Sequence, residues 1–365
     1  MFKKKIYFYC PILENGGIKT TTEIYINYLQ KFFKIELFTN AKKISYLKNF
    51  KKKNIKIINL NNTFLVKRIF LNSIVIFFEI IKRNKNEITG ENKTIIFSMQ
   101  NHIIILILNF FFLKKKILIR TSSIIPNKNN LKEIKNYKFI FLKRIVIYFY
   151  RLADHVVTFS NDNVLKLKKI GIQNVSCVYN YFKKHRINRA KVKKDNLNVF
   201  FIGRFSYEKD PEFFLKNLLY FKKIKIHLIG NGSLKNKLLN IAKKKENVYF
   251  YNYMENPFLK FKNRIDLLCI TSKYEGTPNV MGEAMSYKIP ILAPKEVGLA
   301  KKFLKNGKLG YLYKLGNENS FKGEIRKICN NYASAILKAN YAWKSLDRFN
   351  IKNTLFKIKK ILDNL

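Results

Sequence analysis

The sequence predicts an α/β protein of two doubly wound domains in series, each a parallel sheet covered by helices. Three observations carry that prediction. At 365 residues the chain has room for two domains of ~100 to 200 residues each. Short apolar runs spaced by longer helical patterns repeat through most of its length, as βα units do. The repeat breaks at the basic, polar stretch Lys183 to Asn198, which suits an exposed connector, and then restarts. With 47 % hydrophobic and 15 % aromatic residues, both domains have material for a packed core, and disordered or collagen-like classes are excluded.

The first strand is read at Lys5 to Cys10, with a helix beginning near Thr20. Strands at Ile35 to Thr39, Ile55 to Leu60, Thr94 to Ser98, Lys116 to Arg120 and His155 to Ser160 complete a first domain over residues 1–182. After a linker at 183–198, a second domain over 199–346 takes strands at Val199 to Ile202, Ile224 to Ile229, Val248 to Tyr251, Asp266 to Thr271 and Pro290 to Ala293. Two helices follow, about Tyr332 to Leu346 and Asn350 to Leu365, with no strand between them. The last stretch, 347–365, is expected to return to the first domain. Two such sheets offer their carboxyl-end loops to a cleft between them.

The 72 Lys and Arg against 23 Asp and Glu give a formal charge of +49. A field this positive attracts nucleic acid, an anionic lipid surface or a phosphorylated substrate, although the lysine-rich, asparagine-rich bias also suits compositional drift. Cys10, Cys177, Cys269 and Cys329 lie far apart with no CxxC, so they are read as reduced core thiols of a cytoplasmic protein and not as a zinc site or disulfide framework. The opening MFKKKIYFYCPILENGG imitates a signal peptide, but its apolar run ends at Glu14 without a small-residue cleavage site. Thr94 to Leu113 lacks charge over about the length of a spanning helix. Ser98, Gln100, Asn101 and His102 would be costly in hydrocarbon, so a strand, a polar turn and a buried helix are preferred.

Four segments carry candidate chemistry. In Glu14-Asn15-Gly16-Gly17, paired glycines admit a phosphate to the N–H groups of a helix N-terminus. The full GxGxxG fingerprint is absent, and a plain strand-to-helix turn explains the same letters. GRFSYEKDP, Gly203 to Pro211, ends a strand and presents Arg204 and Lys209, two cations suited to a departing diphosphate or two solvated charges among many. LIGNGS, Leu228 to Ser233, ends another strand in Gly230 and Gly232, which let a base or ribose approach the backbone. The most specific segment is SKYEGTPNVMGEAM, Ser272 to Met285: Glu275 sits in a loop after a buried strand, and a helix opening near Asn279 and Val280 carries Glu283 about one turn in. One carboxylate can meet a sugar and the other a ribose diol.

Taken in order, the paired glycines, ADHVVTFS (Ala153 to Ser160), VYN (Val178 to Asn180), GRFSYEK, LIGNG and YEGTPNVMGEAMSYKIPILA resemble the retaining GT-B glycosyltransferases of family 4 over nearly the whole chain. The resemblance implies the GT-B fold, two Rossmann-like domains facing a central cleft. It implies that Arg204 and Lys209 bind the diphosphate, Glu275 the donor sugar and Glu283 the nucleotide ribose. Gly203, Gly230, Gly232, Asn279 and Val280 would also line the donor, and Gly16 and Gly17 would close on its phosphate. His102 falls where many members carry a histidine near the reacting centre, with a structural histidine as the alternative. The chain departs from the family at Asn252, where glycine is usual, and at Tyr287-Lys288, which replace a small residue and a glycine.

The activity so implied is transfer from a nucleotide-sugar, a UDP-sugar, to a lipid-linked or polysaccharide acceptor of the bacterial envelope. The nucleotide-sugar is a co-substrate; no resident cofactor is expected, and no metal, because the chain has no Asp-x-Asp motif. Lys and Arg interleaved with apolar residues in Phe110 to Arg120 and Lys138 to Arg151 suit peripheral attachment to an anionic membrane from the cytoplasmic side. Two rivals are a nucleic-acid-binding basic protein, for which no RNP1, KH, zinc-finger or basic-zipper pattern is present, and an inactive glycosyltransferase-like scaffold.

Overall fold

The computed structural model describes residues 4–14, 16–41, 47, 50, 55–60, 69–85, 93–121, 144–187, 196–276 and 279–365. They form two compact units, Met1–Tyr181 with Ile351–Leu365, and Phe182–Asn350.

In unit 1 the order is β1 (Lys4–Cys10), α1 (Gly17–Leu29), β2 (Lys34–Thr39), β3 (Ile55–Asn59), α2 (Ile69–Lys85), β4 (Lys93–Ser98), α3 (His102–Leu108), β5 (Lys116–Arg120), β6 (His155–Thr158), α4 (Asn161–Lys169) and β7 (Val175–Cys177). The seven strands pair in parallel in the order β3-β2-β1-β4-β5-β6-β7. Both faces of this sheet are covered, which is why its central strands are continuously apolar. The alternation of side chains divides β1 between two cores: Ile6, Phe8 and Cys10 meet Tyr25, Ile26 and Leu29 of α1, while Tyr7 and Tyr9 meet Ile76, Phe77 and Ile80 of α2.

Unit 2 runs β8 (Leu197–Ile202), α5 (Pro211–Leu218), β9 (Ile224–Ile229), α6 (Lys235–Ile241), β10 (Val248–Tyr251), β11 (Leu267–Cys269), α7 (Asn279–Ser286), β12 (Ile291–Pro294), β13 (Tyr311–Tyr313), α8 (Glu318–Asn330) and α9 (Tyr332–Ser345). Its parallel order is β10-β9-β8-β11-β12-β13. In each sheet the winding reverses beside the first strand, between β1 and β4 and between β8 and β11. Crevices open at the carboxyl ends of such strand pairs.

The edge strands β7 and β13 are three residues each, too short to show a period in the sequence. Thr94 to Leu113 folds as β4, a turn, α3 and a π-helical turn at Asn109–Leu113, and among the described residues no helix is long and apolar enough to cross a membrane. The expected exposed connector begins differently: His185 N–H donates to Ser286 O at 3.1 Å, Trp343 Nε1 donates to His185 O at 3.0 Å and the His185 ring stacks on Tyr287 at 4.1 Å. Residues 182–187 are thus bound to unit 2, while 188–195 lie outside the described residues. Only Cys10 and Cys269 are core thiols; Cys177 is half-buried and Cys329 exposed, all four being free. On α8 the buried stripe is Phe321, Ile325 and Ile328, and Cys329 stands one position off it.

The chain ends on α10 (Leu355–Asn364), which lays Leu355, Ile358 and Leu362 into the unit 1 core beside α1. Lys4 Nζ donates to Leu362 O at 3.2 Å, tying the helix to the start of β1. Because Ile358 is fully buried, Ile358→Ala should destabilise unit 1 by about 2 to 5 kcal/mol, read as a lower denaturant midpoint for a unit 1 probe.

Candidate functional site

In unit 2 the loops after β8 and β11 are stitched together by backbone contacts. Thr271 Oγ1 donates to Lys209 O at 3.1 Å and Asp210 O at 2.9 Å, and Lys273 N–H donates to Glu208 O at 2.8 Å. Asp210 adopts a left-handed backbone (φ 47°), caps α5 by accepting from Phe213 N–H and pairs with Lys273 at 3.2 Å. Both carboxylates flanking Lys209 therefore have other partners, since Glu208 lies 3.7 Å from Arg204.

These loops bring Lys209 and Glu275 together in a direct ion pair. The Glu275 side chain is 7 % exposed and also accepts from Ser272 Oγ at 2.6 Å. Arg204 is 66 % exposed, so its guanidinium is offered to solvent from the same loop. The result is a pair of cations, one exposed and one paired, with a carboxylate held beside the paired one.

Glu283 lies on α7, which opens with the half-buried Asn279 and Val280; Thr277 and Pro278 just before it lie outside the described residues. Burial pushes the Glu283 carboxyl up to about 7, and among the described residues its side-chain oxygens have no hydrogen-bond or ion-pair partner. A carboxyl so placed is available to hydroxyl donors such as a diol.

The glycines of the β9 exit have a structural reason to be glycine. A Cβ on Gly230 (φ 152°) would stand 1.9 Å from Gly203 O, and one on Gly232 (φ 157°) 2.4 Å from Phe205 O. The β8 and β9 exits lie backbone to backbone, with Phe205 N–H donating to Asn231 O at 2.9 Å. Gly298, which no motif marked, does the same for the Glu275 loop: its Cβ would meet Gly276 O at 2.4 Å. Sequence reasoning also missed Ser272, although it precedes Glu275 by a hydrogen-bonding interval of three. The departures from the family pattern are readable: Asn252 accepts from Lys235 Nζ at 3.0 Å, and Lys288 holds a left-handed backbone (φ 52°) just past α7, a position where glycine is unstrained.

In unit 1, Gly16 (φ 144°) and Gly17 are exposed, and α1 starts without a side-chain cap; Asn15 lies outside the described residues. His102 is buried at the start of α3. Its Nδ1 lies 2.7 Å from Ser98 Oγ, the ring hydrogen-bonds the Arg120 backbone, and burial above all, with the Arg120 charge adding to it, lowers it to about 4. The ring is neutral at physiological pH and satisfied, which fits a support for the β4–α3 turn. Among the described residues no cluster of three or more His, Cys, Asp and Glu is placed to hold a metal.

The Glu283 carboxyl, held above its ordinary 4.5, keeps its proton in the folded chain where the unfolded chain has lost it. Stability from this residue therefore falls as pH rises from about 4.5 to about 7 and is level above that. Glu283→Gln should remove a fall on the order of 3 kcal/mol, measured as the difference between wild-type and variant denaturant midpoints at pH 5 and pH 8.

Residues 182–343 match the family described as Glycosyl transferases group 1. An uncharacterized glycosyltransferase of Methanocaldococcus jannaschii is 29 % identical over 49 % of this chain and 49 % of its own length. A lipopolysaccharide 1,6-galactosyltransferase of Salmonella typhimurium is 27 % identical over 48 % of this chain and 52 % of its own. The chain thus spans about half the length of these curated relatives. The crystal structure of Anabaena HepE in complex with UDP and glucose superimposes with a TM-score of 0.77 at 16 % identity, covering 99 % of this chain and 100 % of that one. The two parallel α/β units therefore have the GT-B fold, and the unit that carries Arg204, Lys209, Glu275 and Glu283 is the part that matches the group 1 glycosyl transferases.

Proposed function

We propose that the protein is a retaining, metal-independent glycosyltransferase that moves a sugar from a UDP-sugar to a lipid-linked or polysaccharide acceptor in bacterial envelope glycan synthesis. The observation that carries this reading is the Lys209–Glu275 pair beside Arg204, at the carboxyl ends of the two strands where the unit 2 sheet reverses. The lipopolysaccharide relative supports the class of acceptor, and the UDP-bound structural neighbour supports the nucleotide.

In this reading the donor diphosphate lies against Arg204 and Lys209. Charge grows on the leaving phosphate as the glycosidic bond stretches, and fixed cations stabilise that developing charge more than the ground state. Glu275 is held rigid by Lys209 and Ser272, so it can orient the donor sugar hydroxyls. Glu283, without a side-chain partner among the described residues, accepts the ribose diol. The acceptor hydroxyl attacks from the face the diphosphate leaves, and the departing phosphate oxygen takes its proton, so no separate base is required and His102 stays a support.

Hydrogen bonds to charged groups contribute ~1.5 to 3 kcal/mol, so Arg204→Ala and Lys209→Ala should each lower turnover by ~10 to 100-fold, measured as sugar transfer from a panel of UDP- and GDP-sugars to a membrane extract. Near-normal rates in two folded variants would sink the diphosphate assignment. Activity should also persist in EDTA. Loss of activity in chelator, restored by manganese or magnesium, would establish a metal-clamped diphosphate instead.

The acceptor side of this reading includes a membrane. Phe70 and Phe78 of α2 and Phe110, Phe111 and Phe112 are 57 to 66 % exposed, and Phe112 packs 6.0 Å from Phe77, which joins the two segments. Lys114, Arg144 and Arg151 are exposed in the same unit; Lys138 to Lys143 lie outside the described residues. Exposed aromatics with a basic rim suit an anionic interface, where each basic residue contributes ~1 kcal/mol. The full chain should co-sediment with anionic vesicles at low salt in the presence of excess RNA, and the triple change Phe110→Ser, Phe111→Ser, Phe112→Ser should weaken this several-fold. Equal binding to neutral vesicles would refute the electrostatic part of the proposal.

A further inference from the structure

Arg120 ends β5 at the carboxyl edge of the unit 1 sheet, next to β4 and its switch point. It is 5 % exposed. Its Nε donates to Tyr25 Oη at 2.8 Å and its Nη2 to Asn180 Oδ1, while the guanidinium lies 5.3 Å from the Tyr25 ring centroid. Both acceptors are neutral. Among the described residues no carboxylate pairs with Arg120, and its Nη1 has no partner. His102, bonded to the Arg120 backbone, is itself neutral, and Tyr150 beside it is held protonated by burial.

A positive charge held out of water with only neutral acceptors is costly. The cost is incurred at a specific residue type: only 11 of the 72 cationic residues are arginine, and Arg120 is the buried arginine among the described residues. A planar guanidinium fixed on two sides presents its remaining edge in one orientation, the geometry that suits phosphate oxygens. The three groups that fix it come from α1 (Tyr25), β5 and the segment after β7 (Asn180), so the arrangement is built by long-range packing and not by local charge.

We propose that Arg120 receives a phosphate of a lipid-borne acceptor, giving unit 1 an anion site of its own. The proposal rests on the glycosyltransferase reading, in which the donor diphosphate is already met by Arg204 and Lys209 in unit 2. Tyr25 and Asn180 are positioning residues that hold the fork.

Calorimetric titration of the full chain at physiological salt tests it, with UDP, inorganic pyrophosphate and geranyl diphosphate as probes. In an Arg204→Ala, Lys209→Ala background, the chain should still bind geranyl diphosphate, and more tightly than pyrophosphate. Adding Arg120→Gln should weaken geranyl diphosphate binding at least tenfold, and Arg120→Lys should fall between. Arg120→Gln alone should leave UDP affinity within twofold. Retained binding in Arg120→Gln, an equal loss of UDP affinity, or a preference for free pyrophosphate each overturns the proposal. Should Arg120→Gln not fold, Tyr25→Phe and Asn180→Ala keep the charge and free the fork; threefold or greater weakening supports the site and unchanged affinity overturns it. Unaltered UDP affinity in the Arg204→Ala, Lys209→Ala background would instead sink the donor assignment, and leaves the Arg120 comparison standing.

Discussion

The reversal of winding beside the first strand of each sheet is the constraint on which the candidate chemistry depends. Where β1 adjoins β4 and β8 adjoins β11, the chain leaves neighbouring strands in opposite directions. The connections therefore cannot cover the strand ends between them. In unit 2 this puts Lys209 and Glu275, 66 positions apart, in contact. In unit 1 it leaves the Gly16–Gly17 turn and the His102 turn at adjacent strand ends. The glycines at 230, 232 and 298 serve the same constraint, since loops that share a narrow crevice approach one another through backbone alone.

Much of this was legible in the sequence where structure is local. Buried parallel strands write continuous apolar runs, and β5, β9 and β10 fall at the expected residues. The polar turn inside Thr94 to Leu113 separated strand from helix because Ser98 and His102 need partners that hydrocarbon does not provide, and they find each other at 2.7 Å. Three-residue edge strands gave no signal, since pairing with a neighbour and not a period defines them. Of the site, the letters around Arg204, Lys209, Glu275 and Glu283 could be read because one loop or one helix carries each. Gly298 and the Tyr25–Arg120–Asn180 contact could not, because their meaning lies in residues up to 95 positions away, and Ser272, though only three residues from Glu275, is one serine among many until the loop is folded.

The electrostatics separate the site from the surface. Most of the +49 charge is spread over solvated lysines, where water and salt screen it. Within the unit 2 loops the few carboxylates are arranged against particular cations, Glu275 with Lys209, Glu208 with Arg204 and Asp210 with Lys273. A locally balanced crevice inside a strongly basic protein presents its cations in set positions, where the surface lysines offer only diffuse attraction.

The return of α10 to unit 1 fixes an order of assembly. Every strand and helix of unit 2 lies before residue 351, whereas the unit 1 core lacks Leu355, Ile358 and Leu362 until residues 351–365 are made. On a ribosome the second unit can finish folding while the first, though synthesised earlier, still exposes the core side chains beside α1 that Leu355, Ile358 and Leu362 cover. Unit 1 thus stays incomplete throughout the synthesis of unit 2, and residues 351–365 act as its closing clasp.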